Sequence, residues 1–234
     1  MGALIVALVI DCAVRPPRNS VDGAERMHHF CRSAVRALGV SWTVEGALPQ
    51  SGAVTSNHLS HLDILLFAAI RPFVMVAKSD VRNWPLIGWL TALSGTVYVV
   101  RGGGALTYPR VNRAMAEAYR SGLPVIFFPE GTTSDGSEVL PFRRGLFHSV
   151  LNEDVALRTA ALSYSVDDPS VSAGDDVCWW GEALLVPHLF RLAGLKTIRG
   201  TVRFGDEVME REDRFALSKQ ARSQVQGMYA GLLS

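Results

Sequence analysis

The sequence predicts a single α/β domain over residues 41–234, with a mainly parallel (mixed) sheet flanked by helices. An apolar and amphipathic helical segment, residues 1–40, precedes it. Three observations predict this class. Short β-rich runs alternate with helical stretches from Ser41 onward. A length of 234 residues suits one large domain better than two. Hydrophobic residues make up 48% and charged residues 19% of the chain, which excludes disordered, collagen-like and coiled-coil classes.

The N-terminal segment begins with an uninterrupted apolar run from Met1 to Ile10, which Asp11 ends. This run is about half of the ~20 residues that a membrane-spanning helix needs. It is also a poor signal peptide, because no Lys or Arg precedes it. The run is interpreted either as a mobile terminus or as a stub that lies in the membrane interface.

A helix with one apolar face follows. The residues of that face recur with helical spacing: Met27, Phe30, Cys31, Ala34, Val35 and Leu38. Basic residues surround this stripe, and Gly39 ends it. The pattern is typical either of a surface helix that covers the core or of a basic amphipathic helix that lies on anionic lipid.

Seven β-rich runs then predict the strands of the sheet: Trp42–Glu45, Ala53–Ser56, Phe73–Ala77, Thr96–Val100, Val125–Phe128, Ala156–Ser163 and Thr197–Phe204. Helices are expected between them. The clearest is Pro109–Ser121, which has proline in its first turn and Gly122 at its end. A final helix from about Asp213 to Leu232 is expected to close the fold.

Charge and cysteine content narrow the classes of function. Lys and Arg number 23 against 22 Asp and Glu, a formal net charge of +1, so a nucleic-acid partner is not expected. The three cysteines, Cys12, Cys31 and Cys178, are widely spaced and form no CxxC pair. This arrangement predicts neither a disulfide framework nor a cysteine zinc site, and it fits a reducing compartment.

Polar residues cluster first where the strand ending at Ser56 gives way to a helix. A histidine is the side chain best suited to remove a proton from a hydroxyl near neutral pH, and a carboxylate on its other nitrogen fixes its tautomer. His58 and Asp63 could form that pair if His58 lies in the turn and Asp63 in the first helical turn. Alternatively, the segment only caps a helix, or His58, His61 and Asp63 are the ligands of a metal-dependent hydrolase.

A second polar cluster, Phe128 to Ser134, follows a buried-type strand. Proline stops the strand, and the glycine and hydroxyl residues after it form a turn whose backbone N–H groups could face an anion. The alternative is a turn without a ligand.

Together the two clusters resemble the glycerolipid acyltransferase family, whose best-known members are the 1-acylglycerol-3-phosphate (lysophosphatidate) acyltransferases. Asn57, His58 and Asp63 match its N-H-x-x-x-x-D motif. The residues from Phe128 to Thr132 match its F-P-E-G-T motif. Either motif alone would be suggestive, whereas the pair is specific. The resemblance covers roughly Val54 to Ser165, about half of the chain.

The resemblance implies acyl transfer to the free hydroxyl of a lysolipid from acyl-CoA or acyl carrier protein, with no other cofactor and no metal. His58 would be the base and Asp63 its partner. The residues expected to bind substrate are Asn57, Lys78, Arg101, Glu130, Gly131, Thr132, Thr133, Arg143 and Arg144. Backbone N–H groups near His58 or in the Glu130–Thr132 turn would hold the oxyanion. The enzyme is expected at the cytoplasmic face of a membrane, peripheral or monotopic. The alternative from another class is a non-catalytic lipid-binding module.

One departure from the family pattern concerns the acceptor. Many members have an arginine after Glu-Gly-Thr, expected to hold the acceptor's phosphate, whereas this chain has Thr133. A hydroxyl cannot replace a guanidinium that grips two phosphate oxygens. Either other basic residues hold the phosphate, or the acceptor lacks a terminal phosphate. The latter fits a resemblance to the branch that includes lyso-ornithine-lipid acyltransferases.

Overall fold

The computed structural model describes residues 2–84, 87–100, 108–195 and 197–234. Across these ranges the chain forms one seven-stranded sheet in the order β1-β7-β6-β2-β5-β3-β4. Its strands are β1 (Val40–Glu45), β2 (Ala53–Ser56), β3 (Val74–Lys78), β4 (Val97–Val99), β5 (Val125–Phe127), β6 (Leu157–Val166) and β7 (Ile198–Glu207). Of these pairings β6 with β7 is antiparallel and the others are parallel. The predicted mixed, mainly parallel sheet is therefore confirmed, and each strand lies within three residues of its predicted bounds.

Helices flank the sheet and connect its strands, as the predicted fold class requires. They are α1 (Gly2–Val14), α2 (Ser20–Ala37), α3 (Leu62–Ile70), α4 (Ile87–Leu93), α5 (Tyr108–Arg120), α6 (Phe147–Asn152), α7 (Leu185–Gly194) and α8 (Arg214–Leu233). The predicted helices near residues 109–121 and 213–232 correspond to α5 and α8.

The apolar stripe of α2 is part of the core. Cys31, Ala34 and Val35 on that stripe are fully buried, and two of them belong to the main cluster under the sheet. Gly23, one turn into the helix, allows a close crossing with α4, because a Cβ atom there would lie 1.9 Å from the carbonyl oxygen of Leu93. The stripe thus covers the core and is not free to lie on lipid.

Helix α1 packs on α2 and α4 through Asp11 and Cys12. Cys12 is buried against Leu90, and Asp11 forms a 2.8 Å ion pair with Arg26 of α2. On its other side, exposed aliphatic side chains recur every four residues: Val6, Ile10 and Val14. Among the helices within the described ranges, none is both long enough and apolar enough to cross a bilayer.

The centre of the sheet brings the two sequence clusters together. Strands β2 and β5 are adjacent and parallel, with Thr55 opposite Phe127, and every residue of both strands is buried. Strand β3 runs parallel to β5 on the other side, with Met75 opposite Ile126. Because the carboxyl ends of parallel neighbours meet at one edge, the loops that follow β2 and β5 lie side by side.

Candidate active site

A buried carboxylate organises the loop after β2. Asp63 is the second residue of α3 and is fully buried. Its Oδ2 accepts hydrogen bonds from Nδ1 of His58 at 2.7 Å, the backbone N–H of Leu59 at 2.7 Å and that of Ser60 at 3.0 Å. Its Oδ1 accepts one from the hydroxyl of Tyr164 on β6 at 2.8 Å. Four donors therefore compensate the burial of this charge.

The orientation of His58 follows from this contact. Its side chain is 14% exposed, and its ring stacks on Phe128 with centroids 4.1 Å apart and planes 14° apart. Because Nδ1 donates to Asp63, Nε2 is left as the nitrogen that can accept a proton. The contact between His58 in the turn and Asp63 in the first helical turn is the one the spacing predicts.

The carboxyl group of Glu130 joins the two motifs. Its Oε2 accepts the backbone N–H of His58 and its Oε1 accepts that of Leu140, both at 3.0 Å. Burial raises the pKa of Glu130 to about 8, against the lowering effect of these donors and of the nearby Arg222 charge. Both oxygens bind backbone groups, so Glu130 helps to position His58, and its predicted contact with the acceptor stays a prediction.

The turn after β5 is held against His58 and a basic side chain. Gly131 has a φ of 71°, a left-handed conformation that glycine adopts without strain. A Cβ atom there would lie 2.7 Å from Nε of Arg143, so glycine also leaves room for that guanidinium. The backbone N–H of Ser134 donates to the carbonyl of His58 at 3.0 Å. The motif turn, His58 and Arg143 therefore lie together.

The structure narrows the expected source of oxyanion donors. The N–H groups of Leu59 and Ser60, which follow His58, already donate to Asp63 and are not available. Within the described ranges, the N–H groups of Thr132 and Thr133 make no hydrogen bond, and both residues are at least partly exposed. The turn therefore offers unpaired N–H groups of the kind that the sequence predicts.

The side chain of Asn57 lies in the interior and binds the backbone of β6. Its amide is fully buried and pairs with the backbone of Leu162 on β6, accepting its N–H at 2.8 Å and donating to its carbonyl at 2.9 Å. This double contact holds the end of β2 to β6. In this structure the amide that the sequence predicts as a substrate contact is occupied by Leu162.

The other basic residues predicted for the site do not form one cluster with His58 in the described residues. Lys78 ends β3 at the same edge of the sheet and forms an ion pair with Asp80. Arg144 is exposed, and its guanidinium lies over the ring of Phe215 at 4.4 Å from the centroid. Arg101 lies outside the described residues.

The sequence did not mark two residues in or beside the loop that joins β2 to α3, which carries His58. Tyr164 had no motif to mark it, since it is one apolar-type residue in a buried strand. His61 was considered only as a loop residue or metal ligand, and its ring lies 5.7 Å from that of Trp179 and 5.1 Å from that of His188. Burial lowers the pKa of His61 to about 4. Within the described residues no group of three or more His, Cys, Asp or Glu side chains could hold a metal ion.

The segment around His188 contains both buried residues and exposed apolar residues. Val177, Cys178, His188 and Leu192 are buried, whereas four large apolar residues are exposed: Trp180, Leu184, Val186 and Phe190. The backbone N–H of Trp179 donates to the carbonyl of Leu59 at 2.8 Å, which ties this segment to the loop after β2.

Comparisons with known proteins identify the family of the chain. The sequence profile of the family described as Acyltransferase matches residues 41–163. A lyso-ornithine lipid O-acyltransferase of Pseudomonas aeruginosa is 35% identical over 199 residues, which cover 81% of this chain and 72% of that protein. A 1-acyl-sn-glycerol-3-phosphate acyltransferase of Neisseria meningitidis is 31% identical over 184 residues, which cover 78% and 71%.

A solved structure shows the same fold. The crystal structure of the 1-acyl-sn-glycerophosphate (LPA) acyltransferase PlsC from Thermotoga maritima matches with a TM-score of 0.64 at 19% sequence identity. The match covers 99% of this chain and 95% of that one.

The burial of Glu130 predicts a pH dependence of stability. Its pKa is about 8 in the fold and 4.5 in the reference state, so the folded chain binds one proton more than the unfolded chain between those values. The free energy of unfolding should therefore fall as pH rises from about 4.5 to about 8. Glu130→Gln carries no titrating group and should lack this part of the slope. Urea unfolding at several pH values measures the difference.

The matched control is Glu138→Gln, which removes an exposed carboxyl and should keep the wild-type slope. If Glu130→Gln and wild type show the same slope over this interval, Glu130 does not titrate there.

Proposed function

The chain belongs to the acyltransferase family, and we propose that it transfers an acyl group from acyl-CoA or acyl carrier protein to the free hydroxyl of a lysolipid. The observation that carries this proposal is the His58–Asp63 pair, whose carboxylate is buried and whose free ring nitrogen is on the open side of the pair. The relatives that resemble this chain over most of their length are named as lysolipid acyltransferases of two kinds.

The geometry supports a direct transfer. Nε2 of His58 takes the proton of the acceptor hydroxyl as its oxygen attacks the thioester carbonyl. The buried Asp63 carboxylate stabilises the imidazolium that forms. The tetrahedral intermediate then collapses, breaks the carbon–sulfur bond and releases the thiolate, which receives the proton from His58. The N–H groups of Thr132 and Thr133, which make no hydrogen bond within the described residues, would hold the oxyanion.

This route needs no nucleophile from the protein. The cysteines support that view, because burial raises the pKa of Cys31 and of Cys178 to about 12. A thiol with so high a pKa is almost entirely protonated at neutral pH and is a poor nucleophile.

The acceptor we propose is a lysolipid without a terminal phosphate, such as lyso-ornithine lipid. Thr133 supplies a single hydroxyl where many family members have an arginine, and a hydroxyl cannot form the bidentate contact that phosphate recognition favours. The alternative acceptor is 1-acyl-sn-glycerol-3-phosphate, and the position of Arg143 beside Gly131 supports it, because that guanidinium is close enough to the turn to contact a phosphate.

We place the enzyme at a membrane surface, on the cytoplasmic face, with α1 as the attachment element. The outer side of α1 carries the exposed stripe of Val6, Ile10 and Val14, whereas the apolar face of α2 is used by the core. An exposed aliphatic stripe on a short helix can enter the interface between lipid headgroups and acyl chains. Attachment would therefore be peripheral or monotopic.

His58→Ala is expected to reduce acyl transfer by at least about 10²–10⁴-fold, because it removes the general base. Asp63→Asn should reduce it somewhat less, since the ring nitrogen stays but loses its charged partner. Release of the free thiol from the donor in the presence of lysolipid measures the rate. Thermal unfolding of each variant separates loss of catalysis from loss of fold. Near-normal turnover by folded His58→Ala protein would refute the mechanism.

The acceptor proposal is tested by Thr133→Arg in a competition between lysophosphatidate and lyso-ornithine lipid. Wild type should prefer lyso-ornithine lipid, and the new arginine should impair its use by adding an unpaired charge to the site. If the acceptor instead carries a phosphate, the arginine should lower KM, since a charge-assisted hydrogen bond contributes about 1.5–3 kcal/mol. Thr133→Lys serves as a control, because lysine carries the same charge but cannot form the bidentate contact of a guanidinium. A clear wild-type preference for lysophosphatidate would overturn the aminolipid assignment.

Membrane attachment is tested by replacing Val6, Ile10 and Val14 together with aspartate. Binding to liposomes that contain anionic lipid should weaken at least about tenfold, because apolar area is lost and negative charge is added. Flotation in a density gradient measures the bound fraction. The matched control changes three exposed residues in α7 and just before it, Leu184, Val186 and Phe190, in the same way. If only the α7 variant loses binding, the membrane contact lies on α7 and not on α1.

A further inference from the structure

A cationic cleft lies between the segment after the second motif and the last helix. Its volume is about 360 Å³, within the range of roughly 300–1,000 Å³ that small-molecule sites occupy. Two phenylalanines, Phe142 and Phe215, supply apolar walls, and three cations surround them: Arg144, Lys219 and Arg222. Concave shape, aromatic surface and clustered positive charge therefore coincide at one place.

The three cations are not neutralised by the protein. Throughout the described ranges, Arg144, Lys219 and Arg222 form no ion pair with a carboxylate. Helix α8, which carries two of them, contains no acidic residue. Clustered cations of one sign around a concave surface attract an anion, and guanidinium groups match the geometry of phosphate oxygens.

Two of these cations are held in place. Arg222 donates from Nη2 to the carbonyl of Val139 at 2.7 Å and from Nε to that of Leu140 at 3.0 Å. The guanidinium of Arg144 rests over one face of Phe215, whose side chain is 48% exposed. A cation that is already oriented loses less conformational freedom when it binds an anion.

Hydrogen bonds through Leu140 link the cleft to the loop that carries His58. Leu140, whose carbonyl accepts from Arg222, donates its own N–H to Oε1 of Glu130, and Oε2 of Glu130 accepts the N–H of His58. The cleft is therefore linked to His58 by a chain of hydrogen bonds, and neither Gly131 nor Arg143, beside which the acceptor is proposed to lie, lines it. A ligand that binds here and reacts at His58 must have an anionic end and an extended arm.

We propose that this cleft binds the nucleotide end of acyl-CoA, with its phosphates on Arg144, Lys219 and Arg222 and its adenine against the exposed edge of Phe215. The inference rests on the proposed acyl transfer and selects one of its two donors. Adenosine phosphates combine a planar ring with clustered negative charge, which matches an aromatic wall beside cations. The pantetheine arm would extend along residues 139–140 toward His58. Lys219, Arg222 and Phe215 are not part of either sequence motif.

Binding is tested by calorimetry on the full chain with coenzyme A, adenosine 3′,5′-bisphosphate and sn-glycerol 3-phosphate. Wild type should bind the first two, more weakly as salt rises, and not the third. Lys219→Ala and Arg144→Ala should each weaken binding about tenfold, the loss expected for one charge-assisted contact. Arg120→Ala removes an exposed cation on α5 and should bind as wild type does. Thermal unfolding of each variant shows that it is folded. Wild-type affinity in both cleft variants, or tightest binding of glycerol 3-phosphate, overturns the proposal.

Kinetics separate this inference from the proposed function. Lys219→Ala should raise the KM for acyl-CoA about tenfold and leave the KM for the lysolipid and transfer from acyl carrier protein unchanged. A rise in the lysolipid KM instead would assign the cleft to the acceptor and overturn the proposal. If wild type uses acyl carrier protein but not acyl-CoA, the cleft proposal fails while the acyl transfer stands. If neither donor supports transfer, the proposed function fails, and the binding of coenzyme A still decides what the cleft holds.

Discussion

The burial of the Asp63 carboxylate is the constraint on which the rest of the site depends. A charge without partners in a protein interior is costly, and here hydrogen-bond donors come from three places: the ring of His58, the two peptide N–H groups that follow it, and the hydroxyl of Tyr164 on β6. No single element could satisfy both oxygens. The loop after β2, the start of α3 and strand β6 must therefore all be in register before Asp63 is stable in its position, and only then is the ring of His58 oriented for chemistry.

Glu130 extends this dependence to the neighbouring strand. By accepting the N–H of His58 and that of Leu140, it fixes the backbone of one motif against the segment that follows the other. The two buried acids thus have different roles. Asp63 orients the imidazole, and Glu130 positions the peptide group of His58. Both carboxyl groups contact His58, although one lies 5 residues and the other 72 residues after it in the sequence.

The sequence could predict the strands and the His58–Asp63 contact because both depend on local patterns, namely alternation of β-rich runs and a five-residue spacing at the start of a helix. It could not predict Tyr164 or the partner of Asn57, since these contacts join residues 101 and 105 positions apart and depend on how β6 lies beside β2. The apolar stripe of α2 fitted a helix on the core and a helix on a bilayer equally well, because both environments favour apolar residues at the same helical spacing. Likewise, the sequence could not predict that both oxygens of Glu130 bind backbone N–H groups, because one of these belongs to a residue 72 positions earlier.

The position of β1 at one edge of the sheet has a consequence for how the chain folds as it is made. Strand β1 pairs with β7 alone, Val40 opposite Ile198 and Glu45 opposite Arg203. Strand β1 therefore has no sheet partner until β7, far along the chain, has been synthesised. During that interval the apolar face of α2, which ends just before β1, has an incomplete surface to cover. Pairing across such a separation is slow, and we expect the nascent segment of α2 and β1 to depend on a chaperone or another apolar surface until β7 has been synthesised.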